Sequence, residues 1–118
     1  MMDFIYELNQ IILRELGDVI VNRRKKLGLK QTELAELAGY SVRYQCMVEN
    51  GQKNVTLCFL VSISAALHCS VLELLNDVMR SIEGSLASNR RFKELWQQAV
   101  ESVEQKKKAR HMNIKNKK

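Results

Sequence analysis

Thiol and imidazole side chains, suited to nucleophilic attack and to metal binding, are few in this 118-residue chain. They are three cysteines (Cys46, Cys58 and Cys69) and two histidines (His68 and His111). The cysteines lack the paired spacing of a metal site, and neither histidine stands where it would activate Cys46. There is no Gly-rich phosphate loop and no nucleophile elbow. The chain is therefore expected to be no enzyme, with no metal and no cofactor. The N-terminal residues show no cleavage-like small-residue site, so no secretory signal is expected, and with the odd cysteine count this leads to the expectation of free thiols in a reducing, cytoplasmic setting. The apolar runs are too short for a membrane span.

What remains is ionic chemistry, and it is unevenly placed. Residues 105–118, QKKKARHMNIKNKK, carry seven Lys/Arg and no acid. Residues 1–104 carry the other twelve Lys/Arg and all thirteen acids, a net of −1. The basic balance thus belongs to the tail, and charge alone does not make the body a polyanion binder.

The elements that position these residues read as helices throughout. Phe4, Ile5, Leu8, Ile11, Ile12, Leu16, Val19 and Ile20 recur at spacings of three and four, which predicts a helix over 3–26. Gly17 interrupts it at a cost of about 1 kcal/mol and marks a bend or a break. A short helix follows at 31–38 with Leu34, Ala35, Leu37 and Ala38 as its apolar face. Ser41, Thr56 and Ser70 are cap candidates for helices at about 42–50, 57–67 and 71–82. Residues 84–89 read as a break. Phe92, Leu95, Trp96, Ala99, Val100 and Val103 then form the cleanest helical stripe of the chain. After Lys106 the stripe is lost, and the tail is expected to be frayed or disordered.

Between the second and third helices stand Ala35 and Gly39. Two short helices crossing closely need a small residue at the contact and a residue tolerant of positive φ in the turn. Together with Gly17, Ile20, Arg24, GLKQTELAELAGYS at 28–41, VENG at 48–51 and LHCSVLELL at 67–75, this pattern resembles the Cro/C1-type helix-turn-helix family, related to phage repressors. The resemblance covers residues 16–75. It implies an all-α fold: a five-helix repressor-like helix-turn-helix domain at 16–83, with additional N- and C-terminal helices at 1–15 and 84–105 and a basic tail at 106–118.

The resemblance also implies a function. The chain is expected to be a sequence-specific DNA-binding transcriptional regulator, a dimeric repressor that reads the major groove of double-stranded DNA with helix 41–50. Val42, Arg43 and Met47 become base-contact candidates. Gln31, Tyr44, Asn50 and Lys53 become phosphate-contact candidates. Arg24 and Glu49 are expected to form a structural ion pair between the first and third helices. Lys30 replaces the usual Ser/Thr cap of the second helix, and Val55 a common proline. Gln45 replaces a buried Ile or Val, so its amide must find partners, be exposed by rotation of the helix, or weaken the domain. The alternative is an antitoxin-like or degenerate helix-turn-helix adaptor that works mainly through a protein partner. The apolar stripe 92–103 and the early face Phe4–Ile12 are expected to pack on each other or across a homodimer, with Trp96 as anchor.

Overall fold

The structure is a computed structural model and describes residues 3–116. These residues form six helices: α1 (Asp3–Lys26), α2 (Gln31–Ala38), α3 (Val42–Glu49), α4 (Leu57–Ala66), α5 (Val71–Gly84) and α6 (Leu86–Asn116). No strand occurs among them. The short helices start where the hydroxyl caps predict. Ser41 accepts from the Tyr44 N–H at 3.1 Å, Thr56 from Phe59 at 3.0 Å and Ser70 from Glu73 at 3.0 Å. Lys30 offers no side-chain cap to α2, but Glu33 reaches back to accept the Lys30 N–H at 2.9 Å. Half of a capping box thus stands in for the missing hydroxyl.

α1 is the spine. Its apolar positions Leu16, Val19 and Ile20 join Leu34 and Val48 of the α2–α3 pair, Phe59 and Ile63 of α4, and Leu74, Val78 and Ile82 of α5 in one buried core. Burial of each such side chain contributes about 1.5–3 kcal/mol. Leu37 departs from expectation. It lies 63% exposed on α2, because an eight-residue helix between α3 and α4 has room for one narrow inward stripe, taken by Leu34, Ala35 and Ala38.

Gly17 does not break α1, which runs unbroken across the expected boundary at residue 15. Its role is contact. A Cβ there would lie 2.5 Å from the Glu49 carbonyl oxygen and 2.8 Å from that of Val48. The last turn of α3 sits directly on the α1 backbone, and only glycine leaves room.

The C-terminal part also differs from expectation. The break between α5 and α6 shrinks to Ser85 alone. α6 packs on α1 through Leu95 and Ala99, both buried, and half-buried Phe92, while Arg91 pairs with Glu7. Leu95 and Ala99 are therefore spent within the chain. The stripe splits, leaving Trp96, Val100 and Val103 exposed. Beyond Lys106 the chain remains helical to Asn116 instead of fraying, so α6 is 31 residues and about 46 Å long. Of the basic tail, Lys117 and Lys118 lie outside the described residues. No single helix among the described residues is long and apolar enough to cross a membrane.

Candidate nucleic-acid interface

The turn between α2 and α3 is built on Gly39, at φ 80° in the left-handed region. The Tyr40 N–H returns to the Ala35 carbonyl at 2.9 Å and closes the end of α2. Open space surrounds the Cα of Gly39, so the turn needs glycine for its backbone conformation, not for clearance. Ala35, 1% exposed, is the small residue where the pair closes.

α3 leaves this turn with two distinct faces. Outward lie Val42 and Arg43, both exposed, with half-buried Cys46 and Met47, and exposed Asn50 at the end of the helix. Inward lie Gln45 (0% exposed), Val48 and Glu49. The inner face carries a polar clamp. Arg24 grips Glu49 with two parallel bonds, Nη2 to Oε1 at 2.9 Å and Nε to Oε2 at 3.1 Å. A third Arg24 bond, from Nη1, reaches the Leu29 carbonyl at 3.0 Å. The Glu49 carboxylate also accepts from Gln31 Nε2 at 3.0 Å and from Gln45 Nε2 at 2.9 Å. A nearly buried carboxylate is tolerable only with such a full complement of donors. The four residues join α1, α2 and α3 and fix the rotation of α3.

Gln45 is therefore neither rotated out nor left without a partner. Its amide N–H is used, four residues from Glu49 on the same helix face, while its Oε1 is buried without a hydrogen bond. Gln31 differs from its expected role as a phosphate contact: the side chain turns inward to the clamp, because the charged Glu49 is the stronger local acceptor. That four-residue clamp exceeds the expected Arg24–Glu49 pair. The i, i+4 spacing of Gln45 and Glu49 was the sequence signal for its third member.

The far flank is aromatic. Tyr44 stacks on Tyr40 with ring centroids 5.1 Å apart and meets the edge of Phe59 at 5.3 Å. Lys53 Nζ lies 5.8 Å from the Tyr44 ring centre. This packing fixes the ring, and burial pushes the phenol above its ordinary pKa. Asn50 contacts Cys46 Sγ through a long 3.6 Å bond and stays exposed, as does Lys53. Asn9 and Asn54, joined at 2.6 Å, tie the loop after α3 to α1.

The model of the helix-turn-helix family matches residues 20–74. The HTH-type transcriptional regulator SinR of Bacillus licheniformis is 41% identical over 63 residues, which are 52% of this chain and 57% of SinR. The chain thus spans less than two thirds of that relative. Among solved structures, the clp gene regulator ClgR of Corynebacterium glutamicum is 31% identical with a TM-score of 0.57, over 59% of this chain and 90% of ClgR. The restriction-modification controller protein C.AhdI of Aeromonas hydrophila is 35% identical with a TM-score of 0.52, over 52% of this chain and 94% of C.AhdI. The stretch matched by the family model contains the glycine turn, and the chain belongs to the Cro/C1-type helix-turn-helix family.

Proposed function

We propose that this member of a family of DNA-binding transcriptional regulators is a repressor that binds double-stranded DNA as a homodimer, with α3 in the major groove. The observation that carries the reading is the division of α3. Its inner face is pinned by Arg24, Gln31, Gln45 and Glu49, and its outer face presents Val42, Arg43 and Met47 from its first turns. A helix fits the major groove, and its N-terminal residues reach base edges there. Arg43 has the donors for a bidentate pair with guanine, worth about 1–3 kcal/mol of discrimination. Val42 offers an apolar contact to a thymine methyl.

Phosphates are held at both ends of the motif. On one side are the first-turn amides of α2, which no side chain caps. On the other are Asn50, Lys53 and the fixed Tyr44 hydroxyl. The helix-turn-helix domain at 16–83 supplies this surface. At least one of the segments 1–15 and 84–105 serves dimerisation, and the basic segment 106–118 adds non-specific attraction. Blocking a promoter needs only occupancy of the site, so repression requires no further surface. SinR, ClgR and C.AhdI, each described as a regulator or controller, support a role in gene control. The burial of Gln45 favours groove binding over an adaptor role, because α3 keeps the rotation that turns Arg43 outward.

A gel shift against DNA from the promoter region of its own gene, across a salt series, tests the reading. A saturable shift whose affinity falls steeply with salt is expected. No shift at micromolar protein and low salt, for that DNA and for a random-sequence pool alike, would overturn it.

A further inference from the structure

α6 carries two stripes, of which the chain itself uses one. Phe92, Leu95, Ala99 and Ser102, at spacings of three, four and three, turn toward α1 and are buried or half-buried. Beside them run Trp96, Val100, Val103, Lys107, Arg110 and Ile114, at spacings of four, three, four, three and four, and all are exposed. That is the 3.5-residue repeat of a helix made to pair with another helix. The polar members fit such a seam through their aliphatic stems. The upper part of the stripe forms one wall of an apolar groove, and Phe4 and Ile5 of α1 form the other.

Two further observations select the occupant. First, α6 runs antiparallel to α1, with Arg91 beside Glu7 and the Trp96–Val103 stretch beside Phe4 and Ile5, so it overshoots the start of α1. From Val103 to Ile114 every residue is exposed. A helical arm without a buried face draws little stability from its own chain and needs a partner helix of its own length. Second, the charge along α6 is polar. Residues 105–116 hold Lys106, Lys107, Lys108, Arg110 and Lys115 and no acid. Residues 86–104 balance Glu94, Glu101 and Glu104 against Arg90, Arg91 and Lys93. Two copies side by side in parallel would set two strongly basic stretches against each other. Antiparallel and centred between Val100 and Val103, each basic stretch lies instead against residues 87–98 of its partner, where Arg90, Arg91 and Lys93 stand against Glu94, a net of +2 that repels less than the +5 of a second basic stretch, and Lys107 comes over the Trp96 ring of the other copy.

We infer that the groove and arm are filled by the α6 helix of a second copy, in an antiparallel pair centred between Val100 and Val103. This rests on the homodimer of the proposed function and gives it a geometry. The two arms then point in opposite directions from a two-fold axis at α6.

The test uses the full chain with a spin label on an unnatural ketone-bearing residue in place of exposed His111, which leaves the native cysteines untouched. The helical rise sets the two labels about 30 Å apart in the antiparallel pair and about 10 Å apart in a parallel one. A pulsed-EPR distance near 30 Å, together with a dimer dissociation constant raised at least tenfold by Trp96→Asp, is the expected result. Trp96 is 57% exposed in the single chain, so this substitution leaves the core intact, and an unchanged helical circular-dichroism spectrum would verify that. A dimer with labels near 10 Å, or one indifferent to Trp96→Asp, would overturn the antiparallel pair while leaving a dimer standing. A wild type that sediments as a monomer at micromolar concentration would overturn the dimer of the proposed function as well.

Discussion

Replacing Gln45 by Ile should make the domain more stable. Gln45 is fully buried, and only one end of its amide is used. Three effects compete. A branched aliphatic side chain recovers about 1.5–3 kcal/mol of apolar burial. Removal of the orphaned Oε1 recovers about 1–3 kcal/mol. The bond from Nε2 to the charged Glu49 is lost, at about 1.5–3 kcal/mol. Glu49 is not stranded by that loss, since Arg24 still grips both its oxygens and Gln31 still donates to one. The balance is a gain of about 2 kcal/mol. With a urea m-value of about 1.5 kcal/mol per molar, the unfolding midpoint should rise by about 1 M or more. Paired urea titrations followed by circular dichroism measure it. An unchanged or lower midpoint at equal m-value would show that the Gln45–Glu49 bond outweighs the buried carbonyl, and that the clamp needs all four members.

Gly17→Ala should destabilise the chain by about 3 kcal/mol despite alanine's better helix propensity, because the added Cβ overlaps the α3 backbone; a thermal midpoint at or above wild type would refute the contact. Glu49→Ala should cost about 3–5 kcal/mol by leaving Arg24 unpaired, and the double variant with Arg24→Ala should cost less than the two single losses added together; strict additivity in urea titrations would argue against a coupled pair. Neutralising Lys106 and Lys108 to Gln should reduce the slope of log affinity against log salt by up to about 2 with no change of preferred sequence. An unaltered slope would remove those lysines from the DNA.

Where burial follows periodicity, the sequence was readable. The hydroxyl caps placed the starts of α3, α4 and α5, and Gly39 placed the turn. The Arg24–Glu49 pair was reached through family resemblance, since two residues 25 positions apart leave no local trace. Gly17 was misread because a mid-helix glycine looks the same in sequence whether it bends its own helix or admits another. Leu37 was misread because helical spacing cannot say how wide the buried stripe is. The continuation of α6 escapes a reading of periodicity because the apolar stripe ends before the helix does, and the Lys, Arg, Ala and Met residues beyond Lys106 are strong helix formers. Gln31 turned inward because of an acceptor on another helix, which no window around residue 31 contains. At the candidate interface, then, the candidates on α3 came from the family resemblance, and the clamp on its inner face was legible only in part.

The most direct test of the account is selection of bound duplexes from a random DNA pool, run in parallel for the wild type and Arg43→Ala. The account predicts a palindromic motif for the wild type. It predicts an Arg43→Ala protein that folds normally, binds more weakly, and loses preference at one guanine in each half-site, a penalty of about 1–3 kcal/mol per contact. An identical motif and affinity for the two proteins would contradict the placement of α3 in the groove, and no enriched motif for the wild type would contradict sequence-specific binding itself.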